Sequence, residues 1–201
     1  MKEIRSIVEG IFSAEAKSVA SIPVTDSYES AAEIMFERVH RLNGKVVTSG
    51  MGKAGQIANN MATTFSSTGT PAIFLHPSEA QHGDLGIIQS NDVILAISNS
   101  GKTREITELL DLKERLFNGI PVIVITSDTS SPLALKADCV IATGAPPEVC
   151  PLGLTPTTST TVMTVIGDAL TVIMMKMRGF TKEEYSKRHH GGYLGKKSRQ
   201  K

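Results

Sequence analysis

The sequence predicts an α/β fold: a three-layer αβα sandwich whose middle layer is a five-stranded parallel sheet. Three observations carry this reading. Short β-branched and aliphatic runs recur at 45–48, 71–75, 92–98, 121–126 and 138–142, with the continuous apolar character of strands buried on both faces. Helix-length segments separate most of them, as parallel neighbours require. Three successive strand runs end in loops rich in glycine and polar groups, where open parallel sheets hold their ligands. At 201 residues and 40% hydrophobic composition, the chain is the size of one domain with a full core.

Taken in order, residues 1–20 have helical spacing, with Ile4, Ile7, Val8 and Ile11 on one face. Residues 27–42 repeat that spacing with Ala31, Ile34, Met35 and Val39, and Asp26 is placed to cap them. The strand runs follow, the first three ending in Ser49-Gly50-Met51-Gly52-Lys53, in the tract 76–84 and in Ser98–Thr103. Residues 157–177 form a strongly apolar helix behind a proline-rich loop at 145–156. Gly167 and Asp168 within it favour burial against the sheet or another subunit over a membrane helix. The expected organisation is a single domain over 1–201, with N-terminal helices at 1–44, a sheet core at 45–178 and a C-terminal segment at 179–201. No run is expected to reach the length of a membrane span, and the opening MKEIRSIVEG mixes charges where a signal peptide is apolar, so a cytoplasmic protein is expected. A net charge of +1 argues against a nucleic-acid footprint, the basic tail GKKSRQK reading as a solvated terminus. Cys139 and Cys150 lack metal-type spacing and are expected to be free thiols.

The third loop has the most chemistry. Between the strand run ending at Ile97 and the helix opening at Arg104, Ser98-Asn99-Ser100-Gly101-Lys102-Thr103 gathers hydroxyls and backbone amides at the positive end of a helix dipole. A phosphate monoester would meet donors there without a metal. The competing reading is that Ser100 or Thr103 only caps the helix. Nucleoside motifs fail: the acid expected one strand beyond Gly50, Gly52 and Gly55 is missing, and a P-loop ending in Gly101-Lys102-Thr103 would need glycine where Ala96 stands. A further hydroxyl cluster, Thr157–Thr161, opens the long apolar helix and offers more donors than one cap requires.

The tract TSGMGKAGQIANNMATTFSSTGTPAIFLHPSEAQHGDLG, followed by SNSGKTREI, PLGLTPTTSTT and HHGGYLG, resembles the sugar-isomerase (SIS) domain of D-arabinose-5-phosphate isomerases over nearly the whole chain. The resemblance implies a flavodoxin-like doubly wound sheet and reversible conversion of D-ribulose 5-phosphate to D-arabinose 5-phosphate, the first step of Kdo and lipopolysaccharide biosynthesis. Such an aldose–ketose isomerisation passes through an enediol and needs an acid–base group near carbon, proton exchange near oxygen and oxyanion stabilisation, with no cofactor. By resemblance Glu105 is the carbon acid–base, His82 and His189 belong to the site, and Glu148 supports it. Lys53 is suited to negative charge on oxygen or phosphate, at a helix start otherwise unfavourable to a cation.

Ser49, Ser98, Ser100, Lys102 and Thr103 are the expected phosphate and substrate contacts, with Gly69, Thr70 and Ser159 behind them. His76 matches a position associated with zinc, expected as an inhibitory ligand. The resemblance also implies a homotetramer, with a histidine delivered across the interface, and feedback binding of Kdo or its nucleotide-activated form. Two departures stand out. Family members often continue into paired CBS domains, whereas this chain ends a few residues past Gly195, and the family's HPGG reads His189-His190-Gly191-Gly192. Alternatives are an isomerase of a hexulose or heptose phosphate and a non-catalytic SIS regulator, which would carry a DNA-binding domain and lack Glu105, His82 and His189.

Overall fold

A computed structural model describes residues 2–199, leaving Gln200 and Lys201 of the basic tail outside the described residues. The strands are β1 (Val46–Gly50), β2 (Ala72–Phe74), β3 (Val93–Ile97), β4 (Val122–Thr126) and β5 (Cys139–Ala142). All pair in parallel, in the order β2-β1-β3-β4-β5. Every residue of β1, β3 and β4 is buried. Successive side chains of β3 divide between the faces: Val93, Leu95 and Ile97 join one core, and Ile94 and Ala96 the other.

The helices are α1 (Lys2–Ala20), α2 (Ser27–Phe36), α3 (Gly52–Ser67), the single turn α4 (Pro77–Ala80), α5 (Arg104–Leu116), α6 (Thr158–Arg178), α7 (Lys182–Arg188) and α8 (Gly192–Ser198). On one face, α2, α3 and α6 bury Met35, Phe65, Met163, Ile166 and Leu170, and on the other, α5 buries Ile106, Leu109 and Leu110. This is the expected three-layer doubly wound sandwich.

Three local expectations are corrected. Asp26 stands at the N-cap of α2 but makes no capping bond, its own backbone being already helical (φ −59°, ψ −9°) where a capping residue is extended. The second helix stops at Phe36 and widens into a π-type turn over Glu37–Arg41. The long helix α6 does reach spanning length, 21 residues with a mean hydropathy of 1.4, yet half of that stretch is buried inside the domain, where α6 packs on α3. By contrast the apolar face of α1 stays open, with Ile4 67%, Ile7 56% and Phe12 69% exposed.

The strand order decides where a ligand can sit. The chain leaves β1 for β2 on one side, then returns past β1 to β3 on the other. The two crossovers diverge, and a crevice opens beyond the carboxyl ends of β1 and β3.

Candidate active site

That crevice is present. A cleft of about 520 Å³ is lined by Met51, Lys53 and Ala54 after β1, Ser98, Asn99, Ser100 and Thr103 after β3, and Pro146–Glu148 after β5. Gly153, Leu154, Pro156, Ser159, Thr160 and Met163 complete it. Its size suits a small ligand, for which pockets run from about 300 to 1,000 Å³.

Glycines let the backbone turn tightly into the cleft. A Cβ on Gly55 would lie 2.5 Å from the carbonyl oxygen of Gly50, so glycine lets α3 start close against β1. Gly101 has a left-handed φ of +64°, and a Cβ there would lie 1.9 Å from Ser131 Oγ. In the turn that follows β3, the Ser98 and Thr103 hydroxyls pair at 2.8 Å, and the Gly101 N–H donates to Ser98 Oγ at 3.1 Å. Ser100 Oγ accepts from the Lys102 N–H at 3.2 Å. Thr103 occupies the N-cap of α5, yet its hydroxyl makes no capping bond. The capping reading therefore fails for Thr103, and the first-turn amides of α5 stay available to an anion. Met51, at the N-cap of α3, has no side chain able to cap.

The third helix start is different. Thr157 is the N-cap of α6, but Glu148 performs the capping: its Oε2 accepts the Thr157 N–H at 2.7 Å, the Thr157 hydroxyl at 2.9 Å and the Ser159 N–H at 3.3 Å. Burial pushes the Glu148 carboxyl upward, but hydrogen bonds from Ser159 and Thr157 outweigh it and hold the group below the ordinary carboxylate range. On the same loop, the Thr155 hydroxyl, its N–H and those of Leu154 and Leu152 draw the Cys150 thiol down to about 6, whereas burial pushes the Cys139 thiol up. Both cysteines are free.

Of the residues expected from sequence, Lys53, Ser98, Ser100, Thr103, Glu148 and Ser159 meet at the cleft. Lys53 is exposed in the first turn of α3 and has no hydrogen bond or ion pair among the described residues. Glu105 is in the first turn of α5, two residues past Thr103, half-buried and equally without a partner among the described residues.

Other expected residues lie elsewhere. Ser49 is fully buried and donates to the Leu75 carbonyl at 2.8 Å, so its hydroxyl is committed to the sheet. Gly69 and Thr70 precede β2, at the amino ends of the strands and across the sheet from the cleft, where a Cβ on Gly69 would collide with Arg178. Lys102 reaches out to Asp128 at 3.6 Å. His82 is exposed beyond α4. His189 stacks on Tyr185, with ring centroids 3.8 Å apart.

His76 has a buried Nδ1 without a partner, but no three His, Cys, Asp or Glu side chains converge among the described residues, so one chain by itself does not build a zinc site there. Sequence reasoning placed Met51, Asn99 and Thr160 in candidate loops without singling them out, and missed Met163 and the wall Pro146–Pro147 as lining residues. The signal for Met163 and the prolines was position alone, each facing or following a strand's carboxyl end.

A family model described as the SIS domain matches residues 40–173. The chain belongs to the SIS domain family. This SIS domain is 63% identical to a putative phosphosugar isomerase involved in capsule formation from Bacteroides fragilis, with a TM-score of 0.93 over 95% of this chain and 99% of that one. It is 35% identical to an Escherichia coli CFT073 protein solved in complex with arabinose 5-phosphate, with a TM-score of 0.84 over 94% of this chain and 98% of that one. It is also 51% identical over 174 residues to arabinose 5-phosphate isomerase KdsD of Shigella flexneri, covering 87% of this chain and 51% of that protein. The SIS domain thus spans about half the length of the curated relatives it matches.

Proposed function

We propose that this SIS domain is a cytoplasmic aldose–ketose isomerase that interconverts D-ribulose 5-phosphate and D-arabinose 5-phosphate and supplies the first step of Kdo biosynthesis. One observation carries the reading: a hydroxyl-lined turn, a lysine without a partner among the described residues and a carboxylate that caps α6 open into one cleft of about 520 Å³ at the switch point of the sheet. The similarity to KdsD and to the protein complexed with arabinose 5-phosphate supports the choice of substrate.

In this mechanism the phosphate settles on Ser98, Ser100 and Thr103 at the start of α5, with Ser159 lining the opposite side at the start of α6. Anchoring there directs remote binding energy into placing the reacting carbons. Glu105 removes the proton from one carbon and returns it to the next, and Lys53 stabilises the enediolate oxygen. His82 and His189 exchange protons at the hydroxyls. None of Glu105, His82 and His189 lines the cleft of its own chain, Glu105 standing two residues past the lining residue Thr103. The reading therefore includes a homotetramer in which a histidine of one copy completes the cleft of another, the exposed apolar face of α1 offering surface for assembly. Kdo or its nucleotide-activated form is proposed to bind in the same cleft as feedback ligand. Proton transfer of this kind requires no cofactor.

The deciding experiment incubates purified protein with D-ribulose 5-phosphate in chelator and identifies the product by NMR, beside a panel of hexulose and heptose phosphates. D-arabinose 5-phosphate is the expected product. Faster turnover of a longer sugar phosphate would overturn the substrate assignment, and no turnover of any would overturn the enzymatic reading.

A further inference from the structure

The wall of the cleft is fastened to α1 by a chain of hydrogen bonds outside the chemistry described above. Thr158, fully buried in the first turn of α6, accepts the Val149 N–H at Oγ1 over 3.1 Å. The same oxygen lies 3.1 Å from Glu15 Oε1 on α1. A hydroxyl has one proton to give, so Thr158 receives from Val149 and donates to Glu15. The polarity of the chain is fixed: amide to hydroxyl to carboxylate.

Val149 directly follows Glu148, whose carboxylate gathers the Thr157 and Ser159 amides on the cleft side. Two consecutive loop residues are therefore tied to the start of α6, Glu148 to Thr157 and Ser159 and Val149 to Thr158, and the second tie ends on Glu15, 143 positions away in sequence from Thr158. Pro146, Pro147 and Glu148 form the wall between the cleft and a groove of about 680 Å³ against α1. The second carboxylate oxygen of Glu15 is buried without a partner among the described residues. A carboxylate half-spent in this way is costly to keep, and its one hydrogen bond leads to the cleft wall.

We infer that Glu15 is a positioning residue of the active site, which through Thr158 and Val149 holds the Glu148 carboxylate in register with the start of α6 and so sets sugar binding. The inference rests on the isomerase reading for its kinetic consequence but not for its structural one. Binding geometry is sensitive to displacements of this order, since a shift of about 1 Å far from the chemistry can cost up to about a hundredfold.

The test compares the full chain with Glu15→Ala, Glu15→Gln and Thr158→Val, measuring isomerase KM and kcat together with amide hydrogen exchange. Glu15→Ala is expected to raise KM about tenfold with kcat held, the mark of lost uniform binding. It is also expected to speed exchange of the Val149 amide while the β3 amides stay protected. Glu15→Gln, which keeps a carbonyl acceptor, is expected to restore most of the KM. Thr158→Val removes the same link from the other side, should reproduce the Ala effect, and should add nothing when the two are combined. If Glu15→Ala does not fold, Thr158→Val and Glu15→Gln decide alone.

Unchanged KM, a loss confined to kcat, equal losses in Gln and Ala, or faster exchange throughout the sheet would each overturn the inference. If the wild-type chain isomerises no sugar phosphate, the isomerase reading falls. The Val149 exchange then still decides the tie: selective acceleration in Glu15→Ala supports it, and unchanged exchange overturns it.

Discussion

The two ends of the sheet treat polar groups in opposite ways. At the amino ends most charged groups are engaged, although Arg178 Nη1 is buried beside Gly69 without a hydrogen-bond partner among the described residues. Asp92, fully buried, accepts the N–H groups of Lys45 and Gln89 at 2.9 and 2.8 Å and pairs with the Lys45 ammonium at 2.7 Å. Buried Lys113 donates to the Ile120 carbonyl at 3.0 Å, while exposed Asp138 accepts the Val122 N–H at 2.8 Å and half-buried Arg38 bridges the carbonyls of Ser90 and Gly119 at 3.1 and 2.8 Å. At the carboxyl ends, groups around the cleft are held back. Lys53 and Glu105 have no partner among the described residues, and α3 and α5 begin without side-chain caps. The amino ends commit most of their charged groups to stability, whereas the start of α3 and α5, with Lys53 and Glu105, keeps capacity for a ligand.

That contrast can be broken most visibly at Glu105. Glu105→Gln keeps the shape and removes the base, so kcat is expected to fall about a thousandfold, within the range general acid–base catalysis contributes. The melting temperature should stay within about a degree, because no protein partner is lost. Near-normal turnover would show that the proton is carried elsewhere. The converse change is at Asp92. Asp92→Ala strands the Lys45 ammonium and two amides, and urea unfolding should show a loss of about 3 kcal/mol, the scale for breaking a buried pair. The kcat/KM of the folded fraction should remain within about twofold. If Asp92→Ala impaired catalysis more than stability, the division of labour between the two ends would be wrong.

Much of this division can be read from the chain before its fold is known. β1, β3 and β4 announce themselves because burial on both faces requires continuous runs such as Val93–Ile97, and the cleft follows from where such strands end. What is not legible is partner choice. Thr157 and Thr103 look like caps by type and position, and neither side chain caps. The cap of α6 comes from Glu148, nine residues upstream of Thr157, and only the path of the proline-rich loop brings it there. The tie from Glu15 to Thr158 is more distant still, since no local periodicity links α1 to α6. Ser49 and Gly69 look like ligand contacts by composition, but a carbonyl and an arginine already occupy the space around them. Residue type is visible in sequence; whether a group is already spent depends on contacts that close over long separations.

Glu148 belongs to both ends of the comparison, being a lining residue of the cleft that is nonetheless fully engaged as a cap, and it gives the smallest effect. Its carboxyl is held below its ordinary value of 4.5 because hydrogen bonds from Ser159 and Thr157 overcome the cost of burial. A carboxylate depressed in the folded state contributes its full stabilisation above the unfolded value and loses it as pH falls through the folded one. Glu148→Gln should therefore cost about 1 kcal/mol at neutral pH, the scale of a lost charged cap at a helix N-terminus. In thermal melts taken from pH 7 downward, the gap between wild type and variant should hold until about pH 4.5 and then narrow, because protonation makes the wild-type side chain as neutral as glutamine. A gap that persisted unchanged at low pH would assign the stabilisation to shape and hydrogen-bond count, and would leave the charge at the start of α6 free to act on the substrate alone.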